Sequence, residues 1–282
     1  MIYLKKYVVL PVMAFATFTF LSSCGGGGKE EEQVDEEVTN DTLSTNVRTN
    51  INLIRVSIPS PLEVTKLISK AGYSYNKSVC NSAGKSSSYS TKFQAAANLG
   101  VYGADLGYVA GFNQTQDILE YVGQISKLAK TVGVESAFDQ EFGKTLNGSI
   151  GKEDSLAAII DEAYAKAERN LRSNERVSTA SVIIAGGWIE GLYVSSTVVV
   201  SKPKDSKNAE LYHQIYNHVY AFSYVLDLLK EYKKDQDCAK MYEEIKSIEP
   251  ILSAYSKQPK LGQDEATRIK DAITTVRNKI VN

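Results

Sequence analysis

From residue 60 onward, apolar positions recur every three or four residues with little interruption, the period of helices that pack by one face. Ser60-Pro61-Leu62-Glu63 joins a capping box to a proline at the first helical position. It predicts a helix that runs to Ala71 and stops at Gly72. Residues 73–90 are polar, with Ser and Gly abundant, and read as a long loop. Helices are then predicted over about residues 91–112, through Ile118, Tyr121, Ile125, Leu128 and Val132 to Gly133, and around Phe138, Phe142 and Leu146. Another carries Leu156, Ile160, Ala163, Ala167 and Leu171, and a long apolar helix covers about residues 175–199 before Lys202-Pro203 breaks it. Leu211, Ile215, Phe222, Leu226 and Leu229 define the next. Met241, Ile245 and Ile248, then Ala266, Ile269, Ile273, Val276 and Ile280, define the last two. Alternation of the strand type is confined to a short Val198-Val199-Val200 run, and there is no fixed-period repeat. The pattern predicts an all-α body over residues 43–282, a single irregular bundle of about eight or nine helices.

Two of these helices differ from the rest. Asp105 is the only charge between Lys92 and Asp117, and Glu190 the only one between Arg176 and Lys202. Helices without a polar face are buried on all sides or sit in lipid, and the polar and glycine content here favours a core position. Both carry small residues four apart: Gly103, Gly107 and Gly111 in one, Gly187, Gly191 and Ser195 in the other. Each glycine inside a helix costs roughly 1 kcal/mol relative to alanine, so close packing must offset it. The expectation is that the two helices cross along these troughs, and that Gly107→Leu destabilises the fold.

Ile58-Pro59-Ser60-Pro61, Ala97-Asn98-Leu99-Gly100-Val101-Tyr102-Gly103-Ala104-Asp105-Leu106 and Gly186-Gly187-Trp188-Ile189-Glu190-Gly191-Leu192-Tyr193 resemble a group of Bacteroidota lipoproteins over most of the body. The resemblance implies an exported, all-helical protein. It implies no activity.

The N-terminus points the same way. Lys5 and Lys6, the uncharged run from Tyr7 to Phe20, and Leu21-Ser22-Ser23-Cys24 read as a lipoprotein signal ending in a lipobox, with Cys24 as the acylated residue. The run is shorter than the roughly 20 residues a membrane-spanning helix needs. Residues 24–42 follow as a flexible acidic tether of glycines and the run Lys29-Glu30-Glu31-Glu32-Gln33-Val34-Asp35-Glu36-Glu37. Lys29-Glu30-Glu31 is similar to the export signal of surface lipoproteins in that group, which favours the outer-membrane surface over the periplasmic face. The acids concentrate in the tether, and the body beyond it is nearly neutral, which argues against a nucleic-acid partner. Besides Cys24 the chain holds only Cys80 and Cys238, either a disulfide or, as favoured here, two separate thiols.

Candidate chemistry is sparse. Asp105 and Glu190 are ligand-binding candidates, because an acid in an apolar helix must find a partner, and two acids in one cavity could share a proton or hold a cation. Wheel positions favour instead a structural partner for each, such as a tyrosine hydroxyl, an arginine or a helix N-terminus: Asp105 shares its face with Val101, Tyr108 and Phe112, turned away from the glycine trough, whereas Glu190 adjoins the Gly187 side. Glu210-x-x-His213 has the spacing of bundle metal sites but lacks the second copy they require, and His218 lies on an apolar stripe as a core histidine. No metal, cofactor or nucleophile motif stands out, and the chain reads as non-enzymatic. Tyr212, Tyr216, Tyr220 and Tyr224 stand four apart, and Tyr216 and Tyr220 are candidate contacts for a protein or glycan partner. The function expected is that of a lipid-anchored binding or interaction module. The alternatives are a small-molecule sensor or carrier with a pocket near the two apolar helices and, behind it, an enzyme using Glu190 or Asp105. A solvent-reachable cavity touching Glu190 would favour the pocket; a dry core there would favour the interaction module.

Overall fold

Caps and breakers place the first boundaries where the sequence predicts them. In the computed structural model, which describes residues 45–58, 60–173 and 176–282, Ser60 and Glu63 close a reciprocal capping box at the start of a helix. Gly72 and Gly133 take the left-handed conformation at the ends of their helices. The lipobox at 21–24 and the acidic tether lie outside the described residues.

The described residues are helical throughout, with no strand. The helices are α1 (Thr45–Ser57), α2 (Pro61–Lys70), α3 (Lys92–Gly111), α4 (Thr115–Val132), α5 (Gln140–Ser149), α6 (Glu153–Ser173), α7 (Val177–Val199), α8 (Ala209–Tyr220), α9 (Phe222–Glu231), α10 (Gln236–Lys246), α11 (Glu249–Tyr255) and α12 (Gln263–Val281). The excess over eight or nine has three sources. Helix α1 precedes the first predicted one and buries Val47, Ile51 and Ile54 at four- and three-residue spacing. The stretch from Leu211 to Leu229 is two helices meeting at Ala221, and α11 forms behind Pro250.

Helix α3 is buried from Phe93 to Gly111 except at Gln94, and α7 is buried along most of its length. Helix α7 is long and apolar enough to cross a bilayer, but 72% of its most apolar window is buried inside the fold. The two helices touch backbone to backbone. A Cβ on Gly100 would overlap the Ile183 carbonyl oxygen, and one on Gly186 would overlap the carbonyl oxygen of Ala97. A Cβ on Gly187 would stand 3.4 Å from the Gly100 oxygen.

The contact is therefore centred on Gly100, Gly186 and Gly187, which corrects the expected trough. Gly103 faces the Tyr164 ring of α6. Gly107 and Gly111 face α2, where added Cβ atoms would stand 2.5 Å from Pro61 Cβ and Thr65 Cβ. Gly191 faces His218 of α8. The physical reason is that α2, α6 and α8 each use part of the same small-residue surface, so one row of glycines admits several neighbours.

The loop at 73–90 is folded down rather than loose. It contains two 3-10 turns, at Lys77–Val79 and Ala83–Ser88, and tyrosines from the helices hold its backbone. Tyr102 donates to the Ser82 carbonyl at 2.7 Å, and Tyr121 to that of Asn81 at 2.7 Å.

Gly100→Ala should cost at least about 2 kcal/mol in denaturant unfolding, because the colliding atom is backbone and cannot turn away. Gly123→Ala, on the exposed side of α4 with nothing near its Cβ, should gain about 0.5–1 kcal/mol. A neutral Gly100→Ala would mean that the α3–α7 contact is not where it is placed.

Candidate functional site

Glu190 and Asp105 come together, with a partner the sequence reading did not name. Helix α12 carries Arg277 on the flank of its apolar stripe, four residues after Ile273 and three before Ile280. Its Nε and Nη2 donate to Oε2 and Oε1 of Glu190 at 2.6 and 2.7 Å, a two-pronged pair in which Glu190 is 0% exposed. The guanidinium also lies 4.1 Å from the Tyr193 ring centre. Burial alone would lower the Arg277 pKa, but the charge and hydrogen bonds of Glu190 outweigh it and hold Arg277 above its ordinary range.

Asp105 is equally buried. Its Oδ2 accepts the Asn81 backbone N–H at 3.0 Å, while Oδ1 has no donor. Burial, then the neighbouring charge of Glu190, raise its pKa well above the carboxylate range; Arg277 and the Asn81 N–H pull the other way without offsetting them. The protonated acid resolves the orphaned oxygen, because it can donate to the Glu190 carboxylate beside it. One proton and one guanidinium then balance two carboxylates. The same burial pushes the Cys80 thiol and the Tyr121 hydroxyl up. Cys80 and Cys238 are separate buried thiols, as favoured from the sequence.

A cavity of about 940 Å³ lies on another face of the same helix pair. Its walls come from α1, α2, α3, α6, α7 and α8, including Ile54, Leu62, Gly103, Tyr164, Ile183 and Trp188. Neither acid borders it. On α3, Asp105 lies two residues from Gly103 and Gly107, which do border it, and so points to the opposite side of the helix. Val56, a lining residue that is 78% exposed, marks where the cavity meets the surface. The signal for the cavity was present in the glycines of α3 and α7, but sequence assigned them all to one helix–helix contact.

The tyrosine row divides. Tyr212 is buried and bonded to Gln263, so it leaves the row. Exposed His213 stacks on Tyr216 with centroids 6.0 Å apart; Tyr216 and Tyr220 are 6.2 Å apart, and Tyr220 and Tyr224 5.8 Å. Tyr220 is 46% exposed. Among the described residues no group of His, Cys, Asp and Glu is arranged to hold a metal ion. No family model, curated protein or solved structure matches the chain.

Glu190→Gln should destabilise by about 3–5 kcal/mol, because it leaves Arg277 buried without its counter-charge. Asp105→Asn should be tolerated, since its amide can keep the Asn81 contact and donate to Glu190. The pH dependence has a definite sign. A carboxyl with a raised folded pKa contributes stability that is complete below its ordinary value near about 4 and is lost as pH rises toward the folded value. Unfolding curves of the wild type and Asp105→Asn should thus converge in acid, with the variant gaining on the wild type as pH rises. A constant difference across pH would contradict the shared proton.

Proposed function

We propose that this chain is a lipid-anchored lipoprotein of the outer membrane, displayed at the cell surface, and that its body is a non-catalytic binding module. The anchor rests on the lipobox Leu21-Ser22-Ser23-Cys24. The body is an irregular bundle arranged around the glycine-rich pair α3 and α7. The binding reading rests on one observation, the largely apolar cavity of about 940 Å³ beside that pair, a size that suits a small apolar ligand. The buried setting of Glu190 and Asp105 supports structural roles for both and by itself favours an interaction module; the small-ligand reading comes from the cavity on the other face of the helices. A second reading, a surface for a protein or glycan partner, is favoured by the ladder of exposed His213 and Tyr220 with half-buried Tyr216 and Tyr224.

Cys24→Ser should move the full chain from the membrane to the soluble fraction, and protease treatment of intact cells should digest the wild type. Retention in the membrane would sink the anchor; full protection would sink surface display.

The cavity supplies its own probe. Trp188, the single tryptophan of the chain, borders it. Bromododecane should quench Trp188 fluorescence saturably, and Ala165→Phe, which narrows the cavity, should weaken the saturable phase without unfolding the protein. The double variant Tyr216→Ala and Tyr220→Ala should quench like the wild type. Absence of saturable quenching in the wild type would remove the cavity reading and leave the tyrosine ladder as the binding surface.

A further inference from the structure

One polar atom in the cavity wall has its hydrogen-bonding role fixed by the fold. His218 is 3% exposed, and its Nδ1 stands 3.1 Å from the backbone oxygen of Gln214, one turn back on α8. A carbonyl oxygen can only accept, so Nδ1 carries the ring proton and Nε2 is left as an acceptor. Nε2 lies against Gly191, where a Cβ would stand 3.0 Å away, and both residues border the cavity. No donor from the described residues reaches Nε2. The backbone at His218 is tied to α7, since Trp188 Nε1 donates to the His218 carbonyl oxygen at 3.0 Å. Burial lowers the His218 pKa to about 4, against a weaker upward pull from the Gln214 carbonyl, so the ring is neutral at neutral pH.

The charges that line the cavity are already engaged. Arg55 pairs with Glu168 at 2.5 Å, Glu162 with Arg169 at 2.5 Å, and Glu63 accepts the Ser60 N–H at 3.0 Å. Among the described residues no lining cation is left to meet an anionic head group, and the lining acids outnumber Arg55. What the wall offers is apolar surface and a few neutral polar groups, among them Nε2 of His218, an acceptor that suits a ligand able to supply a donor.

We propose that the cavity takes a neutral amphiphile: an aliphatic body against α3, α6 and α7, and a hydroxyl head that donates to Nε2 of His218. This rests on the cavity reading above and names the ligand class for it.

The test compares three brominated probes on the full chain, read by Trp188 quenching: bromododecanol, bromododecyl methyl ether and bromododecanoic acid. The alcohol should bind about tenfold more tightly than the ether, which has no donor, and than the acid, whose charge has no partner. His218→Phe should erase the advantage of the alcohol and leave the affinity for the ether within about twofold. Equal binding of alcohol and ether by the wild type, or tightest binding of the acid, would overturn the head-group assignment while the cavity reading stands. No saturable quenching by any of the three would overturn the cavity reading itself. Should His218→Phe fail to fold, the alcohol-to-ether comparison on the unaltered chain decides alone.

Discussion

The backbone contact between α3 and α7 is the constraint on which the other features depend. Helices normally meet through side chains, with axes 8–10 Å apart. Here Gly100, Gly186 and Ala97 let carbonyl groups of one helix lie where side chains of the other would otherwise stand. Glycine and the apolar composition of both helices follow from that approach. So does the absence of a polar face, because neighbours cover the pair on every side. On one flank α12 and the loop at 73–90 close over the acids; on the other, α1, α2, α6 and α8 stand far enough off to leave a cavity.

The buried acids belong to the first flank, and their chemistry is that of a clasp. Glu190 fixes α12 through Arg277 across 87 residues of sequence, and Asp105 fixes the loop through the Asn81 N–H. Around them Tyr121 and Tyr102 hold loop carbonyls, Tyr89 donates to the Val281 oxygen at 3.0 Å, and Asn98 donates to the Ile280 oxygen at 3.0 Å. The C-terminal helix, the loop and α3 are thus joined by polar contacts that point inward. A burial of two carboxylates with one arginine is costly unless a proton makes up the difference, and the orphaned Asp105 oxygen is where that proton belongs.

Local signals in the sequence carried well into three dimensions. The capping box at Ser60, the stops at Gly72 and Gly133 and the stripe of α12 all sit where their spacing puts them, because each depends on a few neighbouring residues. Partner identities did not carry. Gly103, Gly107, Gly111 and Gly191 advertise close approach but not by what, and three different elements, α2, α6 and α8, share that surface. Arg277 was hidden because a charge beside an apolar stripe reads as a solvated flank; only the position of Glu190 in space reveals its role. Helix α1 was hidden by its short stripe and the prolines after it, and with it went one wall of the cavity. A cavity is a property of several helices at once, so no single stretch encodes it.

Cavity and clasp occupy separate faces of one helix pair, so binding and stability are set by different residues. His218 touches both, its backbone tied to α7 through Trp188 and its Nε2 against Gly191 in the cavity wall. The most direct test of this division is a crystal structure of the full chain under xenon pressure, since xenon enters apolar cavities and not polar cores. Xenon should be found between Trp188, Ile183, Leu62 and Ile54, with the Glu190–Arg277 pair unchanged. Xenon beside Glu190 and Asp105, or none along the glycine face of α3 and α7, would contradict the account.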